Sequence, residues 1–582
     1  MLEEYDLLIR GGLVVDGTGA PPFRADVAVK GDKIVRVSST IKGEAKIIID
    51  AKGLIVTPGF IDAHSHADKT LPLFPTADSY VLQGVTTTIG GSCGNTIAPI
   101  INYWPPNMFW DLDLVYELRP FKYSPELVSA DEMRQLVKSR YGVDIEWGSF
   151  SQFLNWLEEH KISVNHVPLV GHNTIRAQVM GLEKREPNSQ ELRMMKELIE
   201  EALEAGAGGL SLGLDYVPGR YAKPDELVEL LKVVRRYDGI CTVHWRTRKE
   251  IMGFLIPDKK GGVLEALEIA RKSRVRLHLS HLSPIFTILP KPPSRLYREI
   301  TLATLELVEG ARATGVDITF DIIPNVTGGT LTVKYLASLL SPWLREVGSR
   351  KALSRALRMA EVREEIRRAL KEGLLPFMDP RINPLWDLSI RIVKHKNSAF
   401  ENRTIRELAK ELNLEPLEVV LNLIIQDPDC QIQELGTLDE AVIEEFLKHP
   451  RCMIGLDTYA FDLHWEMKGP PHYVPHPNTY GGIPRYLRRY SRERRILTLE
   501  EAIRRLTSLP AERFGIKGRG IIKEGDYADL VILDYERVAE PSGPYGRGTP
   551  RGIEYVIVNG VIVVKKGKHT GARPGRILRR EV

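Results

Sequence analysis

Between residues 56 and 457 the chain repeats one pattern eight times: an apolar strand, a polar turn and, in most repeats, an amphipathic helix. The strands are predicted at 56–64, 85–93, 165–172, 208–214, 240–245, 275–281, 317–323 and 452–457. Helical patterns fall between them, for example at 189–205, 224–237, 261–272 and 298–314. Eight β–α units are what a closed parallel barrel requires, so the pattern predicts an α/β protein built on a (β/α)8 TIM barrel.

The two ends of the chain read instead as short alternating strands separated by glycine turns. Neither end has enough strands to bury a sheet face alone, so we expect both termini to form one small β-sandwich domain. The expected boundaries are 1–57 with 515–582 for this domain and 58–514 for the barrel. The gap after strand seven is too long for a loop and predicts a helical insertion at about 325–450. A second elaboration is expected at 100–160, after strand two.

Composition excludes several classes of protein. The apolar fraction of 43% and the charged fraction of 27% are ordinary for a globular chain of 582 residues. A net charge of +4 gives no strong field for nucleic acid or anionic lipid, and we interpret the basic tail 565–580 as solvated surface. No apolar stretch has signal-peptide or membrane-span length, so we expect a cytoplasmic protein without a membrane partner. The four cysteines are too scattered for a disulfide framework, and the oligomeric state stays open.

Side chains that bind metals follow the predicted strands. The active site of a (β/α)8 barrel lies at the carboxyl ends of its strands, so these side chains are expected to converge. The candidate ligands are His64, His66, Cys93, His244, His281 and Asp457. Each alone is ordinarily a packed histidine, a buried cysteine or a surface carboxylate. On five strand ends at one face of one barrel, they together predict a metal centre.

This ligand set also predicts a chemistry. Imidazole, thiolate and carboxylate ligands favour zinc, with another divalent ion in a weaker second site. Zinc lowers the pKa of a bound water to roughly 7, which makes a nucleophile available at neutral pH. Asp457 is the predicted general base and acid, since it can take the proton of that water and return it to a leaving nitrogen. The sequence therefore predicts a hydrolase of amide C–N bonds.

Several segments carry a family resemblance in combination. They are GFIDAHSHAD, QGVTTTIGGSCG, GHNTIRAQVMG, GLSLGLDYVPGRYA, VHWRTRKE, LSHLS, HPNTYGGIPRYLRRY and LTLEEAIRRLTSLPAERFGIKGRGIIKEGDYADLVILD. Over nearly its whole length the chain resembles the amidohydrolase superfamily, and in particular the D-aminoacylase (N-acyl-D-amino-acid deacylase) family. The resemblance implies that Cys93, His244 and His281 hold the tighter zinc, while His64, His66 and Asp457 surround the weaker site. It also implies that Tyr216 lines the pocket and that Cys93 replaces a bridging lysine carboxylate.

Three positions depart from that family pattern. Asn478 stands where members that bind a free carboxylate have the arginine of HPR, and Ser283 stands where SH-x-K has its lysine. Thr458 follows the aspartate where the family reads SDG. Loss of the arginine removes both charge and a bidentate geometry. We therefore expect an amide without the usual α-carboxylate, or one bound in another orientation.

The substrate-binding residues predicted on this basis are Tyr216, Arg246 and Asn478. Arg248 and Arg220 are alternative sources of charge, although an arginine at such a position is more often an ordinary surface residue. The predicted partner is a small-molecule amide. One alternative is a different hydrolase on the same metal site, either a ring-opening cyclic amidase of hydantoinase type or a peptide hydrolase. Another alternative is a non-catalytic binding barrel. The last is disfavoured because all six candidate ligands are present.

Overall fold

The computed structural model describes residues 4–105, 127–251, 254–286, 293–327, 333–375, 378–381, 385–435, 438–463, 475–543 and 546–580. Its largest unit is a barrel of eight parallel strands, here numbered one to eight along the chain. They are Phe60–Asp62, Val85–Gly90, Asn165–Pro168 continued by Val170–Gly171, Gly209–Gly213, Ile240–His244, Arg276–Leu279, Ile318–Ile322 and Cys452–Ile454. Neighbouring strands pair in parallel along the chain. The predicted barrel is confirmed.

The barrel closes between strands eight and one, where the Ala63 amide donates to the Ile454 carbonyl at 3.2 Å. Apolar side chains from alternating positions fill its interior, as expected for a packed barrel. Ile61, Ile89, Ile240 and Met453 are buried there together, with Phe514 packed against them. The interior of the barrel is therefore packed with side chains, and the candidate ligands lie at the strand ends of this packed barrel.

The predicted first strand divides at Gly59. Ile55–Pro58 belongs to the terminal sheet, and only Phe60–Asp62 belongs to the barrel. A Cβ atom at position 59 would lie 2.1 Å from Oγ1 of Thr86, so the backbone can pass this point only as glycine. The sequence pattern is continuous because the residues on both sides are apolar and buried.

Strands from both ends of the chain form one nine-stranded sheet. These are Glu4–Val14, Phe23–Lys30, Lys33–Ser38, Glu44–Asp50, Ile55–Pro58, Leu530–Leu533, Ile553–Val558, Val561–Lys565 and Lys568–His569. The two ends meet where Ile55–Pro58 pairs antiparallel with Leu530–Leu533. The basic tail then returns to the barrel, where the Leu578 amide donates to the His166 carbonyl at 2.8 Å. Part of the tail is thus packed rather than solvated.

Helices surround the barrel. Their bounds are Asp78–Val81, Ala130–Tyr141, Phe150–His160, His172–Met180, Ser189–Glu204, Pro224–Arg236, Lys259–Ser273, Ser294–Ala313, Pro477–Tyr486, Leu499–Leu506 and Ser508–Phe514. A π-helical segment spans Leu487–Glu493, 3-10 turns span Ala67–Lys69 and Gly219–Tyr221, and a hairpin of Arg248–Ile251 and Phe254–Pro257 follows strand five. The predicted elaboration at 100–160 contributes two of the helices, and its residues 106–126 lie outside the described residues. Among the described residues, no helix combines the length and apolar character needed to cross a membrane.

The insertion after strand seven has its own core. Its helices are Leu336–Leu340 (3-10), Ser341–Val347, Arg350–Ala356, Ala360–Lys371, Trp386–Ser389, Ser398–Phe400 (3-10), Ile405–Leu412 and Pro416–Gln426, while the next helix, Glu440–Leu447, packs into the core of the barrel. The insertion also contains an antiparallel sheet of Val333–Tyr335, Ile390–Lys394 and Gln431–Glu434, which was not predicted from the sequence. Strands this short carry too few alternations for a period of two to stand out among helical patterns. Leu353, Ile392, Val420 and Ile432 are buried together in this separate core.

Candidate metal centre

The six candidate ligands converge at the carboxyl ends of the barrel strands. The Cys93 thiol lies at the centre of one group, with Sγ 3.4 Å from Nε2 of His64, 3.6 Å from Nδ1 of His244 and 3.5 Å from Nε2 of His281. The Asp457 carboxylate forms a second group, with Oδ1 3.0 Å from Nε2 of His66 and 3.6 Å from Nε2 of His64. His64 belongs to both groups, so the six side chains form one continuous cluster.

Three of these residues have left-handed backbone conformations. The φ angles are +57° at Cys93, +36° at His281 and +50° at Asp457. Such angles cost free energy in residues with a Cβ atom and persist only where neighbouring contacts fix them. At Asp457 the amide donates to the His64 carbonyl at 2.9 Å, and at His281 the amide donates to Oδ1 of Asp321 at 2.9 Å. The chain turns sharply at these strand ends, which directs the side chains to one point.

Two further carboxylates hold the imidazoles from behind. Oδ2 of Asp321 lies 3.5 Å from Nδ1 of His64, and Oδ2 of Asp215 lies 3.5 Å from Nε2 of His244. A carboxylate on one ring nitrogen orients the other toward a metal and strengthens it as a ligand. Neither residue was predicted from the sequence as part of the site. Their signal was available, because Asp215 lies two residues after strand four and Asp321 interrupts the apolar strand seven.

Electrostatics favour the ionised forms that metals require. Burial opposes ionisation of the Cys93 thiol, but the surrounding imidazoles, His64 first, hold its pKa well below the ordinary value. Burial also opposes ionisation of Asp457, but the hydrogen bond from His66 and the charges nearby lower its pKa to about 2. The cluster therefore presents a thiolate and a carboxylate among nitrogen donors.

This donor set fits zinc. Zinc–sulfur and zinc–nitrogen bonds of about 2.3 and 2.0 Å in a tetrahedron separate the donor atoms by roughly 3.3 to 3.6 Å. The three separations from Cys93 Sγ, 3.4 to 3.6 Å, match this requirement, while the nitrogens of His244 and His281 lie closer together, at 2.9 Å. The second group offers His64, His66 and Asp457, two nitrogens and an oxygen, which suit a weaker divalent site.

The predicted substrate residue Tyr216 lies beside the metal ligands. Its hydroxyl oxygen is 3.4 Å from Nδ1 of His244, and the two ring centres are 4.6 Å apart. Burial raises the pKa of Tyr216 well above its ordinary value, so the hydroxyl keeps its proton and can donate it in a hydrogen bond.

Arg246 is held by protein groups on all sides. Its Nε and Nη2 bind Glu265, Nη1 donates to the carbonyls of Leu214 and Arg220, and Nη2 also donates to the Ala222 carbonyl. A guanidinium has five N–H donors, and these contacts engage all five. Arg246 thus connects the chain segments that follow strands four and five through hydrogen bonds.

Asn478 lies beneath the cluster. Its side chain is 0% exposed, and Nδ2 donates to the Leu456 carbonyl at 3.2 Å, directly before Asp457. Its main-chain carbonyl accepts from Gln83 at 3.1 Å. The structure brings Tyr216 to the ligands but places Asn478 behind the loop that carries the aspartate.

A (β/α)8 barrel whose strand ends bring a thiolate, four imidazoles and a carboxylate together defines a metal-dependent hydrolase. Comparison with known proteins gives the family. The family model described as "Amidohydrolase family" matches residues 48–236 and 471–564. The N-acyl-D-aspartate deacylase of Alcaligenes xylosoxydans xylosoxydans is 30% identical over 580 residues, covering 99% of this chain and 95% of the relative. The D-aminoacylase of the same organism is 29% identical, covering 99% of this chain and 98% of the relative.

A solved structure agrees over the same length. It is an N-acyl-D-glutamate deacylase from Bordetella bronchiseptica in complex with zinc and a phosphonate inhibitor, with a TM-score of 0.69 and 27% identity, covering 99% of this chain and 100% of that one. The chain belongs to the amidohydrolase family, in the group of D-aminoacylases and N-acyl-D-amino-acid deacylases. It is a zinc-dependent hydrolase that acts on amide C–N bonds. The predicted family, reaction class and metal are confirmed.

Proposed function

We propose that this enzyme is an N-acyl-D-amino-acid deacylase, which hydrolyses a small N-acyl-D-amino acid to a carboxylic acid and a free D-amino acid. The observation that carries the proposal is the pairing of His66 with an ionised Asp457, 3.0 Å apart, at the edge of the Cys93 cluster. Relatives named D-aminoacylase and N-acyl-D-aspartate deacylase match almost the whole chain, which supports the D-amino acid as the product.

Each ligand has a proposed role. Cys93, His244 and His281 hold the tighter zinc, while His64, His66 and Asp457 surround the weaker site. Bound zinc supplies a water of lowered pKa and polarises the carbonyl of the scissile amide. Asp215 and Asp321 hold His244 and His64 in the orientation that presents their nitrogens to the cluster.

Asp457 moves the proton. Because its pKa is about 2, it is a carboxylate at neutral pH and can accept the proton of the attacking water. It then passes this proton to the amide nitrogen as the C–N bond breaks, so that the amine leaves neutral. The left-handed backbone at Asp457 and the Asn478 side chain behind it fix where the carboxylate stands.

Tyr216 and the cluster together bind the amide. The protonated hydroxyl of Tyr216, 3.4 Å from His244, is placed to donate to the oxygen of the scissile carbonyl. The α-carboxylate is bound in another orientation than the HPR arginine would give, since position 478 is a buried asparagine and the donors of Arg246 are engaged.

We propose the division of the chain into a catalytic unit of 58–514 and a terminal β unit of 1–57 with 515–582.

The test is a substrate panel on the zinc-loaded protein, with Asp457→Asn as the control. N-acyl-D- and L-amino acids, dipeptides and cyclic amides are assayed while zinc per chain is measured in the same preparation. Hydrolysis of N-acyl-D-amino acids that Asp457→Asn abolishes supports the proposal. Selective turnover of dipeptides, or of a cyclic amide with the mass gain of one water and no fragmentation, would overturn it in favour of a peptidase or a ring-opening amidase.

A further inference from the structure

One lysine stands on the barrel-facing side of the helix Lys259–Ser273, in its first turn. Lys259 shares a helix face with Val263, Ala266 and Ala270, all buried against the barrel. Helices of a (β/α)8 barrel begin at the face where the strands end, and helical side chains lean toward the N-terminus. From these two rules the ammonium of Lys259 is expected at the end of the buried face that is nearest the mouth of the barrel.

Short contacts connect this turn to the metal centre. The Asp258 amide donates to the Thr247 carbonyl at 2.8 Å, and the Thr247 amide donates to Oδ1 of Asp215 at 2.9 Å. Oδ2 of Asp215 lies 3.5 Å from the metal-ligand candidate His244. The first turn of this helix is thus linked to the metal centre through Thr247 and Asp215.

The environment of Lys259 does not compensate its charge. Its side chain is partly buried, and no carboxylate in the described part of the chain forms an ion pair with it. Burial lowers its pKa, and the charge of Asp215 opposes this shift. Asp215 is itself engaged by Thr247 and His244. A partly desolvated cation without a partner is unfavourable in the empty protein and favourable when an anion arrives.

The other cations proposed from the sequence are less suited to an anion. Arg246 has all its donors engaged, and Arg220 donates through Nε and Nη2 to the main-chain carbonyl of Asp215 at 3.0 and 2.5 Å. Arg248 is exposed. Positions 283 and 478 are uncharged.

We propose that Lys259 binds the carboxylate of the substrate and thereby selects acyl amino acids that carry a free carboxylate. This inference rests on the proposed deacylase function and names the residue that recognises its substrate. An ammonium is a compact charge on a flexible stem, so it needs no bidentate geometry and can meet a carboxylate in an orientation that the HPR arginine would not allow. The acyl group then points to Tyr216 and the metal ligands, while the carboxylate points to the helix terminus.

The experiment compares an acid with its uncharged counterpart. Initial rates are measured on N-acetyl-D-leucine and N-acetyl-D-leucinamide for the zinc-loaded wild type, Lys259→Met, Lys259→Arg and Lys260→Met. We expect Lys259→Met to lower kcat/KM for the acid about 100-fold, mainly through KM, and to leave the amide within about twofold. Lys259→Arg should restore part of the loss. Lys260→Met is the matched control, since Lys260 lies beside Phe286, 5.7 Å from its ring centre.

The outcomes separate this inference from the proposed function. Equal losses on acid and amide, or no loss on either, would overturn the role of Lys259, because a structural effect does not distinguish the two substrates. Calorimetric binding of N-acetyl-D-leucine to zinc-loaded Asp457→Asn, with and without Lys259→Met, gives a readout that needs no turnover. If the wild type hydrolyses neither compound but binding still requires Lys259, the deacylase proposal fails and the carboxylate site stands. If binding is unchanged by Lys259→Met, the carboxylate site fails.

Discussion

The carboxylate of Asp321 lies between the imidazole of His64 and the barrel interior, with Oδ2 3.5 Å from Nδ1 of His64. The same oxygen is 2.8 Å from Nε2 of His278, and Asp321 is 0% exposed. Burial opposes ionisation of Asp321, but the charge of His64 and the bond from His278 hold its pKa well below the ordinary value. A buried anion therefore fixes the tautomer and direction of the histidine that joins the two halves of the metal cluster.

We expect Asp321→Asn to weaken zinc binding by about 10- to 100-fold, because an amide neither carries the charge nor fixes the tautomer of His64. Competition with a chromogenic zinc chelator measures the affinity directly and does not depend on knowing the substrate. Asp131→Asn is the control, since Asp131 is 85% exposed in a surface ion pair. Equal zinc affinity in Asp321→Asn and the control would show that His64 needs no anion behind it.

His278 and His281 show where reasoning from strand alternation ends. His278 lies within strand six, where it is buried and hydrogen-bonded to Thr319 and Asp321. His281 follows the last strand residue, Leu279, and has a φ of +36°, so its direction is set by a turn that the pattern does not encode. The chain position of a strand end could be predicted from the sequence, but the backbone geometry after it could not.

The substrate residues show a second limit. A sequence identifies Arg246 as a cation near a strand end, but its five donors meet a carboxylate and carbonyls from segments far apart in the chain. Lys259 gave no signal in the sequence because the hairpin before it separates it from strand five. Hydrogen bonds between segments that are distant in the chain decide which cation is engaged by the protein and which is available to the substrate. The order of residues along the sequence does not contain that information.

Asp457→Asn is expected to lower kcat by about 10² to 10⁴-fold while the tighter zinc stays bound. The reason is that Asn cannot accept the proton of the attacking water, whereas Cys93, His244 and His281 are unchanged. Zinc per chain by elemental analysis and kcat on the best substrate are measured on one preparation. Loss of zinc together with activity would assign Asp457 to the tighter site and contradict the division of ligands proposed above.

Arg246→Ala is expected to lower kcat/KM equally for acid and amide substrates. Removal of the guanidinium leaves the carbonyls of Leu214, Arg220 and Ala222 without their donor, which loosens the segments that carry Tyr216 and Asp215. The ratio of kcat/KM for N-acetyl-D-leucine to that for its amide is the measurement. A ratio that falls tenfold or more in Arg246→Ala would make Arg246 the carboxylate-binding residue and displace Lys259 from that role.

The buried carboxylate of Glu226 gives a prediction for stability. Glu226 is bound by His172 at 3.0 Å and by Nε of Arg176 at 3.1 Å, and both partners have side chains that are 0% exposed. Glu226→Gln leaves the Arg176 charge buried without its counterion, which typically costs about 3 to 5 kcal/mol. Glu229→Gln is the matched control, because Glu229 is 39% exposed beside Lys196 and Lys232 and such surface pairs contribute only about 0 to 1 kcal/mol. Urea unfolding of both variants measures the difference.

The pH dependence of stability separates the charge of Glu226 from its shape. Burial opposes ionisation of Glu226, but His172 and Arg176 lower its pKa in the folded protein below the ordinary 4.5. As the pH falls, Glu226 is therefore protonated in the unfolded chain before it is protonated in the folded protein. Its contribution is therefore complete at pH values above 4.5 and is lost as the pH falls through the lower folded-state pKa. The difference in unfolding free energy between wild type and Glu226→Gln should shrink over that interval. A difference independent of pH would mean that the glutamine disturbs packing rather than charge.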